Sequence, residues 1–209
     1  MIAQVTGIVV RIEANTVILD TGGVGYQIMV PAGVLSELPA VGEKTTLITH
    51  FTLRGQPDLE ATLYGFRDPA ELRAFKILLG ASGVGPKAAL ALLSTLTIEE
   101  LARALSTNDT RLISKAPGIG PKLASKMCLE LGDKMASFAF EEKAERSAAS
   151  QATASENAAY EDALDALVNL GYARADARRA AERAFANLED KTNLSALVSA
   201  ALRLLTTGK

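Results

Sequence analysis

Over the first 65 residues apolar positions recur at every second residue. Ile8, Val10 and Ile12 alternate with Gly7, Val9 and Arg11, and Val17-Ile18-Leu19 follows after Ala14-Asn15. Thr21-Gly22-Gly23 is turn chemistry, and Tyr26-Gln27-Ile28-Met29-Val30 resumes as a strand that Pro31 breaks. Leu47, Phe51 and Leu53 share one face of a strand over about 45–54, with Thr49 between them. Leu59, Ala61 and Leu63 share one face of the next. Between these two strands Arg54-Gly55-Gln56-Pro57-Asp58 is rich in turn formers and predicts a hairpin loop. Five short strands in so few residues predict a small barrel of the OB type.

Near Asp68-Pro69 the period changes from 2 to 3.6. Asp68 suits an N-cap, Pro69 the first helical position, and Glu71 stands three residues beyond the cap. Leu72, Phe75, Lys76 and Leu79 mark a helix face, and short helices punctuated by glycine follow to about residue 135. Residues 141–163 contain no Leu, Ile, Val or Phe. Such a stretch cannot bury a core, and 139–157 is expected to be a flexible tether; the alternative is a solvated helix, since Ala and Glu are good helix formers. Helical periodicity returns from about 157. Leu164, Leu167, Val168 and Leu170 form one stripe, Gly171 is a helix stop, and helices over about 174–187 and 192–206 complete a three-helix bundle. The expected class is α+β and multidomain: a barrel over 1–66, an all-α domain over 67–138, the tether, and the bundle over 158–209.

The middle domain carries an internal repeat. At an offset of 35 residues, Gly83-Val84-Gly85-Pro86-Lys87 matches Gly118-Ile119-Gly120-Pro121-Lys122, with Leu78, Ala81 and Ala89 matching Ile113, Ala116 and Ala124. Paired glycines allow a tight hairpin and close approach of the main chain to a ligand. The apolar residue between them can anchor the turn in the core. Proline fits the first turn of the next helix, whose open N–H groups and partial positive charge favour an anion. Lys87 and Lys122 oppose the helix dipole in that turn, which is a poor choice for stability and a good one for phosphate. These are the features of tandem helix-hairpin-helix motifs, which hold the DNA backbone without reading bases. The candidate backbone contacts are Ser82, Gly83, Val84, Gly85 and Lys87 in the first copy, Pro117, Gly118, Ile119, Gly120, Lys122 and Lys126 in the second, and Arg54. The first copy approaches a Walker A loop, but Pro86 intervenes, Ala88 replaces the Ser/Thr, and no strand precedes it. It also fits the G-x-G-x-x-G/A pattern, but without a βαβ context.

Charge agrees with the repeat. The chain has a net charge of −2, yet residues 66–137 carry ten Lys/Arg against seven Asp/Glu, while the segments on either side are net acidic. One cysteine, Cys128, and one histidine, His50, exclude an internal disulfide and a multi-ligand Cys/His metal site and fit a reducing cytoplasm. Cys128 shares an apolar stripe with Leu123, Met127 and Leu131 and is expected to be buried. His50 has no partner for catalysis. The N-terminus lacks the pattern of a signal peptide, and no apolar run approaches the ~20 residues of a membrane span. No cofactor is implied.

Taken in order, Gly22-Gly23-Val24-Gly25-Tyr26, Leu63-Tyr64-Gly65-Phe66, Gly83-Val84-Gly85-Pro86-Lys87, Pro117-Gly118-Ile119-Gly120 with Lys122, and Leu167-Val168-Asn169-Leu170-Gly171-Tyr172 resemble the RuvA family over the whole chain. The resemblance implies a non-enzymatic homotetramer, one or two per junction, that holds a Holliday junction open during recombination and repair. It implies a hexameric ATPase partner, RuvB, met by the C-terminal bundle through Leu167, Leu170 and Tyr172, and the resolvase RuvC as a further partner. It also implies an acidic pin on the last barrel hairpin. The acids available there are Asp58 and Glu60, on a loop a few residues longer than the family pattern. The rival classes are a docking module of a nuclease or glycosylase, which a Mg²⁺-dependent cleavage assay would detect, and a single-strand binder, for which the aromatic content of 5% is sparse.

Overall fold

The computed structural model describes residues 2–55, 59–188 and 190–207. Alternation in the first 66 residues becomes five strands: β1 (Gln4–Ile12), β2 (Thr16–Asp20), β3 (Gly25–Met29), β4 (Lys44–Arg54) and β5 (Glu60–Phe66). They close into a barrel in the order β1-β2-β3-β5-β4. Every pairing is antiparallel except that of β3 with β5. A short helix, α1 (Ala32–Glu37), follows Pro31 and precedes β4. The barrel is filled by Val5, Val9, Val17, Leu19, Ile28, Val30, Val34 and Leu47. On β1 the inward set is Val5, Gly7 and Val9, which leaves Ile8, Val10 and Ile12 on the outside at 40–49% exposure. The outer end of the β4–β5 ribbon leaves the core: Leu53, Leu59 and Ala61 are exposed, and of the face expected on β5 only Leu63 is buried.

Asp68 caps α2 (Pro69–Leu79) by accepting the Glu71 amide at 2.8 Å. The Glu71 carboxylate does not return to the cap residue. It accepts from the Arg67 amide at 2.9 Å and from Arg67 Nε at 2.7 Å, while the guanidinium also reaches Glu37 at the end of α1. These two carboxylates push the Arg67 pKa further up and tie the barrel to the first helix of the next domain. Next come α3 (Pro86–Thr95), α4 (Ile98–Ser106), the single-turn α5 (Thr110–Ile113) and α6 (Pro121–Asn169). Thr97 and Glu100 form a reciprocal capping box at the start of α4.

The core of these helices starts in the barrel. Tyr64 and Phe66 of β5 join Phe75 and Leu78 of α2, then Leu92, Leu101, Leu105, Ile113, Met127 and Leu131. Phe75 lies at the junction, its ring 4.9 Å from Phe66, 5.3 Å from Tyr64 and 5.7 Å from His50. His50 is therefore half-buried against α2, and its pKa is lowered by burial and then by the charge of Lys76. Cys128 is buried as expected, and burial pushes its thiol up. Residues 1–142 form one compact unit and 143–209 a second.

The segment expected as a tether, 139–157, is helical in the structure and belongs to α6. Its described side chains are mostly exposed. Helix here needs no buried stripe, because Ala and Glu carry high intrinsic propensity and the helix already begun at Pro121 is extended without a new nucleus. At its far end α6 stops in a Schellman motif: Tyr172 N–H donates to the Leu167 carbonyl at 3.3 Å, Gly171 N–H to Val168 at 3.0 Å, and Gly171 has φ +94°. In the second unit α7 (Arg174–Asn187) and α8 (Leu194–Thr207) pack with the end of α6 around Ala163, Leu164, Leu167, Ala177, Ala181, Leu197 and Ala201.

Candidate nucleic-acid interface

The two glycine repeats fold alike. Hairpin 1 joins α2 to α3, and hairpin 2 joins α5 to α6. In each the first glycine takes the left-handed conformation, Gly83 at φ +90° and Gly118 at φ +84°, which a side chain would strain. The apolar residue next to it turns inward, Val84 to 7% exposure and Ile119 to 5%. Their amides close the turns, Val84 N–H onto Ala81 O at 3.1 Å and Ile119 N–H onto Ala116 O at 3.2 Å. Val84 and Ile119 therefore anchor the hairpins; as backbone contacts to a ligand they are corrected, because both side chain and amide are used inside the fold.

The second glycine of each pair begins a helix. Gly85 O accepts from Ala89 at 3.0 Å, and Gly120 O from Ala124 at 2.9 Å. No side chain caps α3 at Gly85. The amides of a helix's first turn have no intrahelical partner, and Lys87 and Lys122, which lie in those turns, are both exposed. Gly83, Pro117, Gly118 and Gly120 are exposed as well, and Gly85 is half-buried. Two mouths of equal geometry thus offer N–H dipoles and a lysine to solvent within one compact unit, an arrangement suited to a polyanion.

Other candidates are placed differently. Ser82 has an exposed side chain, but its amide donates to Glu130 Oε2 of α6 at 2.8 Å, so that donor is taken. Lys126 is half-exposed, with Nζ 3.7 Å from Glu130 Oε1. Gly83 packs onto the same helix: a Cβ there would lie 3.5 Å from Leu123 Cδ1. The repeat offset gave no sign of Glu130, which has no counterpart in the first copy's pattern. Lys115, exposed at the entrance to hairpin 2, was visible only in the basic charge of the segment.

Glu60, a candidate pin acid, is exposed and paired in register with Arg54. It lines an open groove of about 320 Å³ with Met29, Thr62, Tyr64, Gly85 and Lys87, so the ribbon and hairpin 1 border the same space. Asp58 and the side chain of Arg54 lie outside the described residues. In the C-terminal unit Leu167 is fully buried, which corrects its assignment to a partner surface: as a stripe residue it fills the bundle. Leu170, one helical turn on, is 61% exposed, and Tyr172 is half-buried. No helix among the described residues is long and apolar enough to cross a membrane.

Comparison with known proteins matches three family models in order: the RuvA N terminal domain over residues 1–65, a SAM-like helix-hairpin-helix tandem over 75–133, and the RuvA C-terminal domain over 158–206. The chain is 38% identical over 208 residues to a protein of Symbiobacterium thermophilum, covering all of both chains. The chain belongs to the RuvA family. Similarity to a Shewanella frigidimarina relative is 36% over 213 residues, covering 97% of this chain and 98% of the relative. A Methylobacillus flagellatus relative is 40% identical over 183 residues, covering 88% and 89%. Each of these relatives is named Holliday junction branch migration complex subunit RuvA.

Proposed function

We propose that this protein binds Holliday junctions by their sugar-phosphate backbone, independently of sequence, as the DNA-holding, non-catalytic subunit of a branch migration complex. The observation that carries the reading is the pair of equivalent hairpins, each with an open helix N-terminus and an exposed lysine, Lys87 and Lys122. Contacts of this kind follow the positions of phosphates, so DNA geometry selects the target. The test is a gel shift comparing a four-way junction with duplex of equal length, with native mass measurement of the complex. Preference for the junction in units of four protein copies is expected; equal affinity for both DNAs would overturn the reading.

A tetramer is supported by the outer face of β1. Ile8, Val10 and Ile12 leave an apolar stripe on the barrel that further copies can cover. One or two tetramers would then meet each junction. Within such an assembly the β4–β5 ribbon, with Glu60 and Asp58, serves as the acidic pin, repelling phosphates at the crossover.

The C-terminal unit is the candidate seat of the hexameric ATPase RuvB, with RuvC joining the same complex in the cytoplasm. Leu170 is exposed, and Tyr172, two residues beyond it, lines a groove of about 470 Å³ with Asp176, Arg179, Arg183, Leu204 and Leu205, a mixture of apolar and charged side chains. Leu170→Asp should leave junction affinity within about twofold while lowering stimulation of the ATPase by tenfold or more, since a single buried apolar anchor can carry ~1.4 kcal/mol or more of an interface. An ATPase titration on junction DNA reads this, and undiminished stimulation would remove Leu170 from the interface.

A further inference from the structure

The two hairpins differ chemically at one position. Under the 35-residue offset Ser82 corresponds to Pro117. Proline has no amide hydrogen, so hairpin 2 has no donor there to satisfy. Ser82 has one, and it donates to Glu130 Oε2 at 2.8 Å. Glu130 belongs to α6, the helix that leaves hairpin 2, so this bond crosses from one motif to the other. Lys126, one turn earlier on α6, faces the other carboxylate oxygen at 3.7 Å. Leu123, a further turn toward the N-terminus, packs beside Gly83. One face of α6 thus carries an apolar contact, a lysine and a carboxylate toward hairpin 1.

The carboxylate could oppose DNA by filling an anion site, or it could hold the site in shape. The proline decides between them. The second copy of the motif manages without an amide at this position, so the amide lies outside the set of donors that both copies share. Glu130 therefore takes nothing from the common phosphate-binding group. It is also ionised at neutral pH, because the Ser82 hydrogen bond, and after it the charge of Lys126, holds its carboxyl below the usual range.

We infer that Glu130 is a positioning residue for DNA binding: its carboxylate straps hairpin 1 to the helix of the second motif, so that the two mouths meet the backbone at one fixed spacing. The inference rests on the hairpins being the DNA-binding elements. Two mouths on one rigid body bind with the second contact already oriented; two mouths free to shift lose that advantage.

The test uses the full chain with Glu130→Ala, Glu130→Gln, Ser82→Pro and the Ser82→Pro/Glu130→Ala pair, titrated onto a four-way junction over a range of salt. Glu130→Ala should weaken binding about tenfold, the loss of one charge-assisted hydrogen bond. Its salt slope should stay that of the wild type, because no phosphate contact is removed. Glu130→Gln keeps an acceptor oxygen and should recover most of the affinity. Ser82→Pro, a ring that the equivalent turn of hairpin 2 already holds, removes the donor, and on that background Glu130→Ala should add nothing. In free protein the Ser82 amide should exchange slowly in the wild type and quickly in Glu130→Ala, whatever the fate of the proline variant. Unchanged or tighter binding by Glu130→Ala, a full effect persisting on the proline background, or fast exchange in the wild type would overturn the strap. Lysine reversal at Lys87 and Lys122 separates the two ideas: if it too leaves binding intact, the hairpin reading fails, and if it alone weakens binding, only the strap fails.

Discussion

Reversing both hairpin lysines, Lys87→Glu with Lys122→Glu, is expected to reduce junction affinity by about three orders of magnitude or more at moderate salt. Each ammonium stands at an open helix N-terminus where a phosphate would sit. In the proposed tetramer four copies on one junction would make eight such contacts, and at ~0.9 per contact the slope of log affinity against log salt should shrink by about 7. Stability should move the other way. A glutamate in the first turn complements the helix dipole that lysine opposes, worth about 0.3–1 kcal/mol per site at an exposed position. The variant should therefore melt at or above the wild-type temperature while losing DNA. Fluorescence anisotropy across a salt series and a calorimetric scan check both halves, and wild-type affinity in the reversed protein would remove the hairpins from the interface.

The second large effect falls on the fold. Phe75→Ala empties a site with no exposed surface, bordered by Phe66, Tyr64 and His50. Truncation of a buried phenylalanine costs about 3–5 kcal/mol, from lost transfer energy and from the cavity left behind. For a unit of this size that corresponds to a fall in Tm of roughly 10–20 °C. Phe75→Leu should recover a good part of it. The site matters beyond stability because Phe66 and Tyr64 belong to the barrel and Phe75 to α2. The ring stack fixes the hairpins to the barrel, so the destabilised variant should also bind junctions less tightly below its melting point. A melting shift of only a few degrees would mean that other contacts dominate this boundary.

Much of this architecture was legible in the residues themselves. Alternation located the strands because a small barrel buries one face of each strand. The repeated glycines located the hairpins because a left-handed turn restricts the residue types that can form it. Asp68 and Gly171 marked helix ends through capping chemistry that is local in sequence. Legibility failed where the answer depended on a distant partner. On β1 both faces are apolar, so the pattern could not say that Val5 and Val9 point inward while Ile8 and Val10 point out. Leu167 and Leu170 lie on one stripe, and only the packing of α7 and α8 divides them into core and surface. The segment over 139–157 has nothing to bury, which told against a core but not against a helix. The Ser82–Glu130 bond joins residues 48 positions apart, and no local rule points from one to the other.

The closed barrel limits how copies of this protein can join. An open sheet ends in a strand whose carbonyls and amides invite another strand, and such growth need not stop. Here β1 pairs with β4 along Gln4–Ile8 and with β2 along Ile8–Ile12, so no full-length rim is left open. In the proposed tetramer, copies would meet along β1 through the exposed side chains of Ile8, Val10 and Ile12. Such a contact gives a ring when the rotation between neighbours closes and an open array when it does not, so the proposed assembly depends on the angle at which these patches meet.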